Sequence, residues 1–226
     1  MSLYAIGDLH LSLGCDKPMD IFEGWHDYVQ RLTRNWQRLV KASDTVVLLG
    51  DISWAMGFDT ARADFAYIHS LPGKKIILKG NHDYWWSTMA KMQAFVQENG
   101  FDSISFLHNN SYTADGIAVC GTRGWLFETG EEQDAKVMNR EIGRLRASLA
   151  AAEQGERVAF LHYPPLSHTA SSSEVIAVLK EYGVSRCFYG HMHGPALRWA
   201  VQGEVDGIHY RLLSADNVGF CPVLVP

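Results

Sequence analysis

Lys75-Ile76-Ile77-Leu78-Lys79-Gly80-Asn81-His82-Asp83 is a short apolar run that stops at a glycine and three polar side chains. Too short for a helix and apolar at successive positions, the run over 75–78 reads as a strand buried on both faces. The pattern recurs along the chain. Residues 3–6 lead to Asp8 and His10, residues 45–49 to Gly50 and Asp51, residues 158–161 to His162, and residues 187–189 to Gly190, His191 and His193. A further run over 117–120 leads to Arg123 in Gly121-Thr122-Arg123-Gly124-Trp125.

Between the runs lie helical stripes. Phe22, Trp25, Val29, Leu32, Trp36, Leu39 and Val40 recur at three- and four-residue steps, and similar spacing marks 61–68, 89–96, 137–149 and 175–179. Ser87 is placed to cap the third helix and Gly100 to end it; Ser171 with Glu174 fits a capping box, and Gly183 closes that last helix. The tail, with apolar runs at 210–213 and 223–225, reads as closing strands. Strands alternating with helices define an α/β chain, and no linker or repeat divides residues 1–226, so one domain is expected.

Position is the informative fact, because open α/β sheets bind ligands beyond the ends of their strands. Imidazole, carboxylate and carboxamide groups suit borderline divalent cations, manganese first, with iron, zinc or cobalt as alternatives. Residues two apart in extended chain point to the same side, so Asp8 with His10, and His191 with His193, offer paired donors. Asp8, His10, Asp51, Asn81, His162, His191 and His193 are more donors than one ion needs. Two dications against the carboxylates of Asp8 and Asp51 leave a positive site suited to a phosphorylated small molecule. Such a pair can clamp the attacking and leaving oxygens of a displacement at phosphorus.

Composition narrows the partners. With 47% hydrophobic and 20% charged residues the chain is of ordinary globular make-up, and its net charge of −5 offers no general attraction to nucleic acid. No apolar stretch has membrane-span length and no signal peptide is apparent, so a cytoplasmic location is expected. The four cysteines, Cys15, Cys120, Cys187 and Cys221, follow no framework spacing and read as free thiols.

In order and spacing, Asp8-x-His10, Gly50-Asp51, Gly80-Asn81-His82-Asp83, His162 and Gly190-His191-x-His193 resemble the calcineurin-like metallophosphoesterase superfamily. The resemblance implies a two-sheet β-sandwich flanked by helices, in four αββα layers. It implies a dinuclear centre with Asp8, His10, Asp51 and His193 on one metal and Asp51, Asn81, His162 and His191 on the other, Asp51 bridging. The implied reaction is hydrolysis of a phosphomonoester or phosphodiester by a metal-bound hydroxide, with His82 contacting the phosphate and protonating the leaving group. Asp83 would orient His82 or cap the following helix, and Arg123 is a candidate for gripping the phosphate. Ile52-Ser53-Trp54-Ala55 departs from the Ser/Thr protein-phosphatase branch, which has an aspartate and an arginine there. A catalytically silent scaffold, a nucleotide-lipid pyrophosphate hydrolase and a nuclease remain as alternatives. Substrate choice is expected from loops at 12–24 and 122–135, and Trp54, Tyr84, Trp85, Trp86 and Trp125 form either a stacking surface or an apolar wall.

Overall fold

Strands that are apolar on both faces must be covered twice, and two sheets stacked between helices achieve this. The computed structural model describes residues 1–126 and 135–226. In chain order it has β1 (Leu3–Ile6), α1 (Tyr28–Leu39), β2 (Thr45–Leu48), α2 (Phe58–Ser70), β3 (Lys74–Ile77), α3 (Met89–Glu98), β4 (Ile104–Phe106), β5 (Tyr112–Ala114), β6 (Ile117–Thr122), α4 (Ala135–Ala150), β7 (Glu156–Leu161), α5 (Ser173–Glu181), β8 (Arg186–Tyr189), a 3-10 turn (Gly194–Trp199), β9 (Gly203–Val205), β10 (Ile208–Leu212) and β11 (Val223–Leu224).

Among the described residues the strands form a five-stranded sheet, β11-β1-β2-β3-β4, and a six-stranded sheet, β5-β6-β7-β8-β10-β9. The inner strands β1 to β3 and β6 to β8 run parallel, so their carboxyl ends share one edge. Alternation along each strand feeds two cores at once. Val47 and Leu49 face the space between the sheets, as do Val158 and Phe160 from the other side. Val46 and Leu48 pack with α1, α2 and α3, while Ala159 and Leu161 pack with α4 and α5. The expected αββα sandwich is thus the architecture found.

Two details differ from expectation. The first helix begins at Tyr28 rather than Phe22: Asp27 takes a left-handed turn, φ 50°, and leaves Phe22 exposed. Trp25, 2% exposed, is instead folded inward before the helix starts. The caps sit one residue later than expected, with Thr88 Oγ1 accepting from Lys91 N and Ser172 Oγ from Val175 N. Gly100 and Gly183 do end their helices, each in the left-handed region at φ 69° and 67°. The cysteines are free, with Cys120 and Cys187 buried. Among the described residues no helix is long and apolar enough to cross a membrane. Most of the suspected substrate loop at 122–135 lies outside the described residues.

Phe160 is fully buried between the sheets, 5.5 Å from the parallel ring of Phe188. Phe160→Ala is expected to cost about 3–5 kcal/mol in urea unfolding, and a loss below about 1 kcal/mol would contradict the packing described.

Candidate metal centre

The loops beyond β1, β2, β3, β7 and β8 meet at the shared edge. Asp8, His10, Asp51 and His191 all adopt positive φ, at 55°, 45°, 50° and 72°. Side-chain-bearing residues enter that region rarely and at a cost, and such strain collects at functional sites. It turns four polar side chains into one small volume. Glycines clear the room: a Cβ on Gly80 would stand 2.1 Å from Asp51 Oδ1, and one on Gly190 2.6 Å from Asp8 Oδ2.

Asp83 ties two of these loops together. Its carboxylate accepts from Asp51 N (2.9 Å), Ile52 N (2.9 Å), Ser53 N (3.4 Å), Gly80 N (2.7 Å) and Trp85 Nε1 (3.0 Å). Asp51 Oδ1 accepts from His82 N at 2.8 Å, closing the same knot from the other side. Asp8 is held likewise, accepting from His191 N at 3.0 Å on each oxygen.

Several of the remaining polar atoms lie close to one another around Asp51 and Asn81. His162 Nδ1 lies 2.9 Å from Leu49 O, which can only accept, so Nδ1 carries the hydrogen and Nε2 presents a lone pair. That lone pair looks at Asp51 Oδ2, 3.5 Å away, and at Asn81 Oδ1, 2.6 Å away. His191 Nδ1 approaches the same Asn81 Oδ1 at 2.9 Å. Even with the Asn81 amide turned over, the facing pair at His162 and Asp51 remains. Asp51 Oδ2 and both ring nitrogens of His10 are buried with no hydrogen-bond partner, and His10 Nε2 is 3.9 Å from that oxygen.

Buried acceptors in such an array are costly unless something positive sits between them. Burial pushes the Asp51 carboxyl up to about 6 and raises Asp8, which also feels Asp51. Burial presses the imidazoles the other way, His162 down to about 3, His191 to about 2, and His10 well below its usual value with His193 adding to the effect. Neutral imidazoles and carboxylates are the forms that ligate a cation, and a dication would hold the carboxylates ionised. Among the described residues, two groups have ligand atoms within 4.8 Å of one another, Asp8 with His10 and Asp51, and Asp51 with His162 and His191. Either could hold a metal ion, and they share Asp51. The donors are nitrogen and oxygen only, a set that fits borderline divalent cations.

The other residues anticipated from sequence fall as follows. His193 stands against His10, ring centres 5.2 Å apart, at the rim of the first group. The half-buried His82 ring lies 4.6 Å from Trp54 and 5.8 Å from His10, with Nδ1 3.4 Å from Tyr84 Oη. Asp83 neither orients that ring nor caps α3, since its oxygens are taken by backbone and Trp85 donors and Thr88 is the cap. The guanidinium of Arg123 sits 3.4 Å from Glu141 and 4.9 Å over Trp125, while its carbonyl accepts from His162 N and Tyr163 N. Trp54 stacks on His10 at 4.9 Å, and Trp85 is buried in the core. Trp25, counted among helix residues by its spacing, lies 5.8 Å from His10 and 6.3 Å from His193. Sequence spacing had no way to mark it, because helical and inward-folded loop residues look alike there.

The calcineurin-like phosphoesterase family model matches residues 1–195, and the chain belongs to that family. No curated protein matches the chain. Among solved structures it is similar to the phosphopantetheinyl hydrolase of Mycobacterium tuberculosis (16% identity, TM-score 0.59, 94% of this chain and 88% of that one). It is also similar to a protein of unknown function from Aquifex aeolicus (16%, 0.52, 99% and 95%). A Thermus thermophilus protein is a third (14%, 0.51, 84% and 81%). At these identities the likenesses speak for the fold.

Gly80→Ala is expected to displace Asp51 and abolish tight metal binding while the chain still folds, read by metal content after gel filtration together with circular dichroism. Full metal content in that variant would contradict the geometry described.

Proposed function

We propose that the chain hydrolyses phosphomonoesters or phosphodiesters of a small molecule, with one divalent cation on Asp8, His10, Asp51 and His193 and a second on Asp51, Asn81, His162 and His191. Asp51 then serves both. The observation that carries this is the convergence of the His162 Nε2 lone pair and the buried, unpartnered His10 ring on Asp51 Oδ2, which accepts no hydrogen bond. When bound, two such cations supply Lewis-acid charge for a phosphoryl oxygen and lower the pKa of water, with manganese the first choice and iron, zinc or cobalt fitting the same donors.

The protein's own part is positioning and proton delivery. Asp83 and the strained turns fix the donor set before substrate arrives, so little reorganisation is left for the reaction. His82 is anchored through its backbone N–H to Asp51 and keeps its ring half-exposed beside Trp54 and His10, placed to touch the phosphate and give a proton to the departing oxygen. Trp54, on the flank of both rings, holds them in register. The pairing of β11 with β1 returns the chain's end to the first sheet, which favours one domain over 1–226.

Metal-stripped protein reconstituted with manganese is expected to hydrolyse p-nitrophenyl phosphate or its bis-ester, and Asp51→Asn to lose both the activity and the bound metal. Folded protein that binds metal and cleaves neither ester would favour the silent scaffold. His82→Ala is expected to cost about 10²–10⁴-fold in kcat on an alkyl phosphate, and less on p-nitrophenyl phosphate, whose leaving group needs no proton. Equal losses on both esters would remove His82 from the proton-transfer role.

A further inference from the structure

Beside the metal centre, on the side of Asn81 and His162, lies a second cavity of about 250 Å³ lined by Lys79, Trp86, His108, Thr122, Arg123 and Arg144 among others. Two of its lining residues adjoin the loops of that centre. Lys79 is two residues before Asn81, and the carbonyl of Arg123 accepts from the backbone of His162 and Tyr163. Pockets that take a whole small molecule run from about 300 to 1,000 Å³, so this one is the size of a single group on a larger ligand.

Among the described residues its charge is unbalanced. Arg123 and Arg144 share one buried carboxylate, Glu141, whose Oε1 lies 3.4 Å and 2.6 Å from them. Thr122 Oγ1 donates to the other oxygen of Glu141 at 2.9 Å, and no contact between that acid and Lys79 is found among the described residues. Lys79 makes no ion pair among the described residues, and Arg123 Nε is buried with no hydrogen-bond partner. Asp83 acts on Lys79 through space, yet its oxygens are committed to five N–H donors. Three cations around one carboxylate among the described residues, in a cleft of this size, suit a tetrahedral oxyanion, for which guanidinium forks and an ammonium are matched donors.

We propose that the Lys79–Arg123–Arg144 cleft is a phosphate subsite. If the phosphoesterase reading holds, on which this last step rests, the substrate is a molecule that carries a second phosphate beside the ester cleaved at the metals. Arg123 then binds substrate in this cleft, together with Lys79 and Arg144, rather than at the metals.

The subsite is testable without turnover. Inorganic phosphate titrated calorimetrically into metal-stripped protein, its fold checked by circular dichroism, is expected to bind once per chain. Lys79→Met and Arg144→Met should each weaken that binding roughly tenfold or more, the scale of a lost hydrogen bond to a charged group. Lys180→Ala, on an exposed lysine of α5, should leave it unchanged. Because Lys79 makes no side-chain hydrogen bond or ion pair among the described residues, its variant stays informative if Arg144→Met disturbs α4. No phosphate binding, or binding equal in wild type and Lys79→Met, overturns the proposal. In manganese-loaded protein, α,β-methylene ADP binding at least tenfold tighter than AMP, with the gain erased in Lys79→Met, identifies the occupant as the substrate's second phosphate. Equal affinities with the inorganic phosphate site intact identify it as free phosphate. Loss of manganese-dependent hydrolysis alone would count against the phosphoesterase reading and leave the subsite standing.

Discussion

Asp51 Oδ2 is buried, accepts no hydrogen bond, and faces the lone pair of His162 Nε2 at 3.5 Å, with His10 Nε2 3.9 Å away on the other side. A folded chain does not collect proton-free acceptors in a water-poor pocket without a counterpart, since each costs on the order of 1–3 kcal/mol left unmatched. The strained turns at Asp8, His10, Asp51 and His191, and the missing side chains at Gly80 and Gly190, serve that one arrangement. Burial compounds the requirement. It drives the carboxylates toward protonation and the imidazoles toward neutrality, so the pocket is short of positive charge, which a bound dication would supply.

The scaffold explains how so many costs are borne together. Parallel inner strands bring their loop ends to one edge, and the αββα layers bury each strand on both faces, leaving the loops anchored on rigid elements. Asp83 joins the loops after β2 and β3 through backbone N–H groups. These donors sit on Asp51 itself and on Ile52 and Gly80, beside the candidate metal-holding residues, so the knot fixes where Asp51 and Asn81 point without touching a substrate. Around it the aromatic rings of Trp25, Trp54 and Tyr28 close off the His10 side, while the His82 side stays half-open.

Much of this was readable in the residues. The buried strands announced themselves as apolar runs, and every polar group singled out at their ends, apart from Arg123, lies at or beside the donor cluster. What escaped was set by tertiary context. The edge strands β4, β5 and β9 are three residues each, too short to show a period. The stripe from Phe22 onward mixes a helix with an inward-turned Trp25, because spacing alone cannot tell core helix from loop wall. Asp83 looked like a partner for His82 through adjacency, whereas in space its oxygens reach back to Asp51, Ile52 and Ser53. Lys79 and Arg144 gave no signal, since a basic cleft assembled from a strand end and a helix face has no linear signature.

Anomalous diffraction from crystals of the manganese-loaded protein tests most directly whether two cations share Asp51. Two peaks about 3.5–4 Å apart are expected, one among Asp8, His10 and Asp51 and the other among Asp51, Asn81, His162 and His191. A structure with no peak at this edge, or with Asp51 Oδ2 hydrogen-bonded to solvent and no metal in reach, would contradict the account.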